Sequence, residues 1–182
     1  MRYIHRGLES VIARAAKQFP AVVLTGPRRA GKTFLLQHLL PRASYRLLED
    51  PAIIAAVRAD PATFLDELKP PVVLDEIQHA PELLAHIRAR IDAAPRRTGQ
   101  WFLTGSQEAP LMQGVTESLA GRAAVLHLLP LAQAESPKVD LWNGGIPEVL
   151  ARPAARELWF ASYLQTYLER DVRAVTHVKD LA

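Results

Sequence analysis

The chain has 182 residues, the size of one ordinary domain, and its 49% apolar and 23% charged residues exclude a disordered, collagen-like or coiled-coil protein. It has no cysteine, so disulfide frameworks, cysteine-ligated zinc, iron–sulfur clusters and thiol nucleophiles are excluded as well. The net charge of +3 is unevenly laid out: residues 1–46 hold nine Lys or Arg against one acid, and residues 47–182 hold thirteen against eighteen.

MRYIHRGLESVIARAAKQFP, at the start, carries charge throughout and has no apolar stretch before a small-residue cleavage site, which argues against a secretory signal. No segment approaches the roughly 20 apolar residues that a membrane span needs. A cytoplasmic protein with no membrane partner is the expectation. Within the opening, Tyr3-Ile4-His5-Arg6 precedes a first helix, as a packed N-terminal arm or as a segment lying over a ligand.

Five short apolar runs then alternate with helix-like stretches, the pattern of an α/β fold with a parallel sheet. The first run, Ala21–Thr25, is apolar enough to be buried on both faces and is followed at once by glycine. FLLQHLL reads as a helix closed by Pro41, and a less apolar run follows at Tyr45–Leu48. Two short helices are expected around Pro61. The third run, Val72–Leu74, ends in Asp75 and Glu76, and PELLAHIRARID after it has helical spacing. The fourth is Trp101–Thr104, and a short helix around Leu111–Leu119 leads to a fifth at Ala123–Leu129. From Ala155 to Val175 the spacing of Trp159, Tyr163 and Tyr167, with Leu164, Leu168, Val172 and Val175 beside them, predicts a helix whose stripe is core or interface. A core over 1–135 and a helical extension over 136–182 is the expected division.

Gly26-Pro27-Arg28-Arg29-Ala30-Gly31-Lys32-Thr33 is a glycine, four residues, then Gly-Lys-Thr, placed between a buried strand and a helix that opens with Phe34. Glycines let the backbone wrap phosphate oxygens, and the new helix adds the positive end of its dipole. Lys32 is placed to reach the β and γ phosphates and Thr33 to ligate Mg²⁺. Arg28 and Arg29 add charge beside the loop, either against phosphate or in solvent.

Asp75 and Glu76 emerge at a strand's carboxyl end, where ligands bind in open α/β sheets. Asp75 is expected to hold Mg²⁺ through water, and Glu76 to polarise a water for attack on the γ phosphate. The fourth strand ends Thr104-Gly105-Ser106-Gln107, from which Ser106 first and Gln107 second are the expected γ-phosphate sensors; a polar turn explains the same residues. Arg122 is the candidate for charge stabilisation in the transition state, in its own subunit or a neighbour's, against a helix-end arginine that only meets carbonyls.

Weaker signals add little. Lys138-Val139-Asp140 lacks the Asn of a guanine-reading motif, since Pro137 stands there, and Asn143–Pro147 reads as a turn. His79 and His86 share helical spacing but are too few for a metal site.

Taken together, Tyr-Ile-x-Arg, GPRRAGKT, Leu48-Glu49-Asp50-Pro51, VVLDEIQHAPELL, FLTGSQ, ESLAGR with LLPL, GGIPEVL and YLERDV resemble the prokaryotic AAA-type ATPases that usually carry a C-terminal nuclease-like domain of unknown function. Arg29 and Ala30 stand for the family's more usual Gln and Val, and His79 replaces a basic residue. The resemblance implies a P-loop three-layer sandwich with an additional strand between the phosphate-loop strand and the strand ending in Asp75. It also implies that the winged-helix and C-terminal regions expected after YLERDV are missing. The expected function is Mg²⁺-dependent ATP hydrolysis coupled to a protein partner or nucleic acid, with a homo-oligomer as a further possibility. The competing readings are a small P-loop kinase, which needs an acceptor-binding carboxylate and an arginine-rich lid, and a nucleotide-binding module with negligible turnover.

Overall fold

In the computed structural model the residues described are 3–106, 114–115 and 117–168. The chain divides into two compact units, His5–Leu129 and Pro130–Ala182 with Met1–Ile4.

The larger unit is built on five strands: β1 Ala21–Thr25, β2 Ser44–Leu47, β3 Val72–Asp75, β4 Trp101–Gly105 and β5 Ala123–His127. They form one sheet in the order β2-β3-β4-β1-β5, with every pairing parallel. The strand inserted between β1 and β3, which the family resemblance implies, is β4. Helices α1 (Glu9–Gln18), α2 (Lys32–Leu39), α3 (Pro51–Ala59), α4 (Pro61–Asp66) and α5 (Leu83–Ala93) belong to the same unit.

Strand parity sorts the core into two faces. Ala21, Val23, Val72, Leu74, Trp101 and Leu103 face one way and pack with Val57, Phe64, Leu65, Leu84, Ile87 and Ile91 of α3, α4 and α5. Val22, Leu24, Val73 and Phe102 face the other way, where α1 and α2 bury Ile12, Ala15, Leu35 and Leu36. The three central strands are buried on both faces, which is why they read as continuous apolar runs; the edge strands β2 and β5 are not. The break between α3 and α4 has a local cause. Asp50 caps the Ala52 N–H, Asp60 caps those of Ala62 and Thr63, and a proline opens each helix.

The smaller unit holds α6 (Pro147–Ala151) and α7 (Arg156–Tyr163), the latter continuing as a wider turn over Leu164–Leu168. Trp159 stacks on Tyr163 with ring centroids 4.9 Å apart; among the described residues both are half-buried and Leu164 is exposed. The side chains of Tyr167 and Leu168, together with Val172 and Val175, lie outside the described residues. Asp140, read above as the remnant of a guanine motif, accepts from the backbone N–H groups of Trp142 and Asn143 and shapes the Asn143–Pro147 turn.

No helix among the described residues is long and apolar enough to cross a membrane.

Candidate functional site

The carboxyl edge of the sheet gathers the chemistry. There β1 runs into Gly26–Gly31, β3 into Asp75 and Glu76, and β4 into Ser106. Two glycines make the loop after β1 feasible. Gly26 has φ +143°, and a Cβ on it would lie 2.1 Å from the Leu128 carbonyl oxygen; Gly31, at φ +97°, caps α2. Arg29 also adopts a left-handed conformation, with φ 65°. Ala30 is fully buried, and its N–H donates to the Pro27 carbonyl at 3.3 Å.

Arg6 braces this loop from outside. Its guanidinium donates to the Ala30 carbonyl at 3.0 Å and to the Leu129 carbonyl at 2.6 Å. Inside the loop, Lys32 is buried, and its ammonium donates to the carbonyls of Gly26 at 2.9 Å and Pro27 at 3.2 Å. Burial lowers its pKa, the charges of Glu76 and Asp75 oppose that, and Arg28 adds to it. Arg28 is half-buried, Arg29 is exposed, and Phe34 is half-exposed on the first turn of α2.

Asp75 is the hub. Its Oδ2 accepts from the Thr33 hydroxyl at 2.7 Å and from the Tyr45 phenol at 2.6 Å, while its Oδ1 accepts a short bond from the Thr104 hydroxyl. Thr104 is fully buried and also accepts from the Glu76 N–H at 3.1 Å, tying the two acids to β4. Burial first, then the hydrogen bond to Asp75 and the nearby negative charges, hold the Tyr45 phenol well above its ordinary pKa, so it stays a donor. Parity accounts for the cluster: Tyr45 pairs with Val73 and Val73 with Phe102, which puts Tyr45, Asp75 and Thr104 on the face that α2 covers.

Glu76 sits in the left-handed region, φ 59° and ψ 53°, at the start of a short 3₁₀ turn over Ile77–His79. Its carboxylate accepts from the Gln78 amide at 2.5 Å, and the same amide lies 3.5 Å from the Ser106 hydroxyl. Ser106 is buried beside the acids; Gln107 lies outside the described residues.

Arg122 is elsewhere. It precedes β5 at the amino edge of the sheet, its carbonyl accepting from the Ala21 N–H, with the length of β1 between it and the phosphate loop. Its guanidinium is engaged by Asp92 of α5, at 2.6 and 3.0 Å. The structure therefore does not bring Arg122 to its own subunit's site. Three residues that sequence reasoning passed over stand there instead: Tyr45, Thr104 and Gln78. Thr104 and Gln78 belong to the segments already singled out, but Tyr45 becomes visible only once the register of β2 on β3 is known.

Among the described residues no group of three or more His, Asp or Glu gathers that could hold a metal by itself. A hydroxyl beside one carboxylate suits magnesium, which keeps several waters and takes phosphate oxygens as ligands.

Residues 18–136 match the family model of an AAA domain. The chain belongs to that family, and its fold is that of the AAA-type P-loop ATPases. It is 33% identical over 168 residues to uncharacterized protein Rv2008c of Mycobacterium tuberculosis and equally to uncharacterized protein Mb2031c of Mycobacterium bovis, covering 88% of this chain. The match spans 38% of the length of each of these relatives. Among solved structures it resembles the Walker-type ATPase PABY2304 of Pyrococcus abyssi, with TM-score 0.63 and 20% identity over 96% of this chain and 77% of that one. It also resembles AMPPCP-bound DnaA of Aquifex aeolicus, with TM-score 0.53 and 15% identity over 95% of this chain and 67% of that one. At these identities the likeness to solved structures is one of fold.

Proposed function

We propose that the protein binds ATP with Mg²⁺ and hydrolyses it, using the change of nucleotide state to act on a protein partner or nucleic acid. The observation that carries this reading is the bond from Thr33 to Asp75 at 2.7 Å, with Lys32 and Glu76 alongside. One hydroxyl from the phosphate loop and one carboxylate from β3 thereby converge on a single point. Lys32 has three N–H donors and two internal acceptors, which leaves a donor for the β and γ phosphates. Backbone N–H groups of the loop Gly26–Gly31, Pro27 excepted, and of Lys32, Thr33 and Phe34 at the start of α2 favour the phosphate chain. Thr33 and Asp75 would hold the metal, which when bound neutralises charge on the β and γ oxygens. Glu76 would take a proton from water and Ser106 would read the γ phosphate, and among the described residues of the site no further carboxylate is assembled of the kind a kinase needs to bind an acceptor.

In this reading the catalytic core spans 1–135, and 136–182 is an extension. Arg122, turned away from its own site, can serve only a neighbouring copy and only if Asp92 releases it.

Release of labelled phosphate from γ-labelled ATP tests the proposal. Release with Mg²⁺ and no added acceptor, abolished by EDTA, is the expected result; tight nucleotide binding with no release in either condition would contradict it.

A further inference from the structure

Gln78 is a polar side chain of the site that belongs to neither the phosphate loop nor the acid pair. It lies in the 3₁₀ turn after β3, between the fully buried Ile77 and the buried Ala80, so its backbone is fixed by the core. The amide Nε2 donates to Glu76 Oε2 at 2.5 Å and reaches toward Ser106 Oγ at 3.5 Å. The amide Oε1 is buried and, among the described residues, has no hydrogen-bond partner.

Chemistry settles which way the amide faces. An ionised carboxylate only accepts, so the NH₂ must point at Glu76 and the oxygen away from it; turning the amide over would set two acceptors against each other. A glutamine serving the scaffold would satisfy both ends on backbone groups. This one spends its donors on two side chains of the candidate site and leaves its oxygen unsatisfied. Glu76 in turn has a left-handed backbone, a conformation that persists in a non-glycine residue only where its surroundings hold it.

We propose that Gln78 is a positioning residue that fixes the rotamer of the Glu76 carboxylate and links it to Ser106, so that a γ phosphate engaged by Ser106 and a water held by Glu76 are read by one amide. The inference rests on the hydrolytic reading above and assigns to that site a member beyond its acids and phosphate loop. Gln78 does not touch the nucleotide in this scheme; its effect passes through Glu76.

Gln78→Met tests it, because methionine keeps the length and apolar stem while removing both polar atoms, including the unsatisfied oxygen. The expected result is a kcat about 10- to 100-fold lower, as for a misplaced catalytic group, with the Kd for a fluorescent ATP analogue within about twofold of wild type. Thermal stability should be unchanged or raised, since a buried acceptor without a partner disappears. Added to Glu76→Gln, the substitution should slow single-turnover hydrolysis no further, the mark of two residues acting as a unit. Three results would overturn the proposal: a kcat equal to wild type, an additive loss in the double variant, or a drop in Tm with a parallel loss of nucleotide affinity, which would make Gln78 structural. A wild-type protein that releases no phosphate would instead remove the hydrolytic reading and this role with it.

Discussion

Thr104 joins the two acids: its hydroxyl donates to Asp75 and accepts from the Glu76 N–H. Thr104→Val keeps the shape and takes away the hydroxyl, leaving a buried carboxylate oxygen and a backbone N–H short of a partner. Groups orphaned in this way cost about 1–3 kcal/mol, which a urea midpoint should register, and turnover should fall with it because Glu76 loses its tether to β4. A variant with wild-type midpoint and wild-type rate would contradict this pairing. Sequence reasoning singles out Lys32 and Thr33 by a short spacing rule, and Asp75, Glu76 and Ser106 because they stand at the ends of buried strands. It stops short of Thr104 and Tyr45, whose roles depend on which residues of three strands lie side by side. That register is set by pairing across the sheet, between residues far apart in the chain, and no local pattern encodes it.

At the scale of elements, the phosphate loop is shaped by how closely it approaches the end of β5. Gly26→Ala would drive a methyl to 2.1 Å from the Leu128 carbonyl oxygen in a left-handed backbone. Backbone strain of this type costs on the order of 1–3 kcal/mol, and the clash adds to it. Loss of nucleotide binding and a lowered melting temperature are expected together; a Gly26→Ala variant that binds ATP normally would contradict the loop geometry.

At the sheet's opposite edge, the hydrogen bond from Arg122 holds the Asp92 carboxyl below its ordinary value of 3.8. A depressed folded-state pKa gives stability that is full above the unfolded value and is lost as pH falls through the folded one. Arg122→Ala removes the cause, so as pH falls through and below that ordinary value the variant should lose less stability than wild type, read from urea midpoints. Parallel loss in both proteins would speak against the pair. The strands are legible from sequence to within about two residues, and the break at Pro61 with them, since buried apolar runs and prolines are local signals. The C-terminal helix is the exception, because a periodic stripe states that a face is apolar without stating what covers it.

Over the whole molecule, the sheet order explains why the phosphate loop and the acid pair can work together. With β4 between them, β1 and β3 stand about 10 Å apart, twice the usual strand spacing, which leaves room for a phosphate and its water. Alternation of strands and helices along the chain announces an α/β fold but not this order; the inserted strand follows from the family resemblance. The basic first quarter finds a use in the same picture, since Arg28 and Lys32 stand at the loop and Arg6 braces it. The most direct measurement is γ-phosphate release by wild type and by Glu76→Gln, made alongside nucleotide affinity. Removal of a general base predicts a rate lower by about 10²- to 10⁴-fold with affinity unchanged. Equal rates in the two proteins at equal affinity would contradict the assignment of Glu76 and the hydrolytic mechanism built on it.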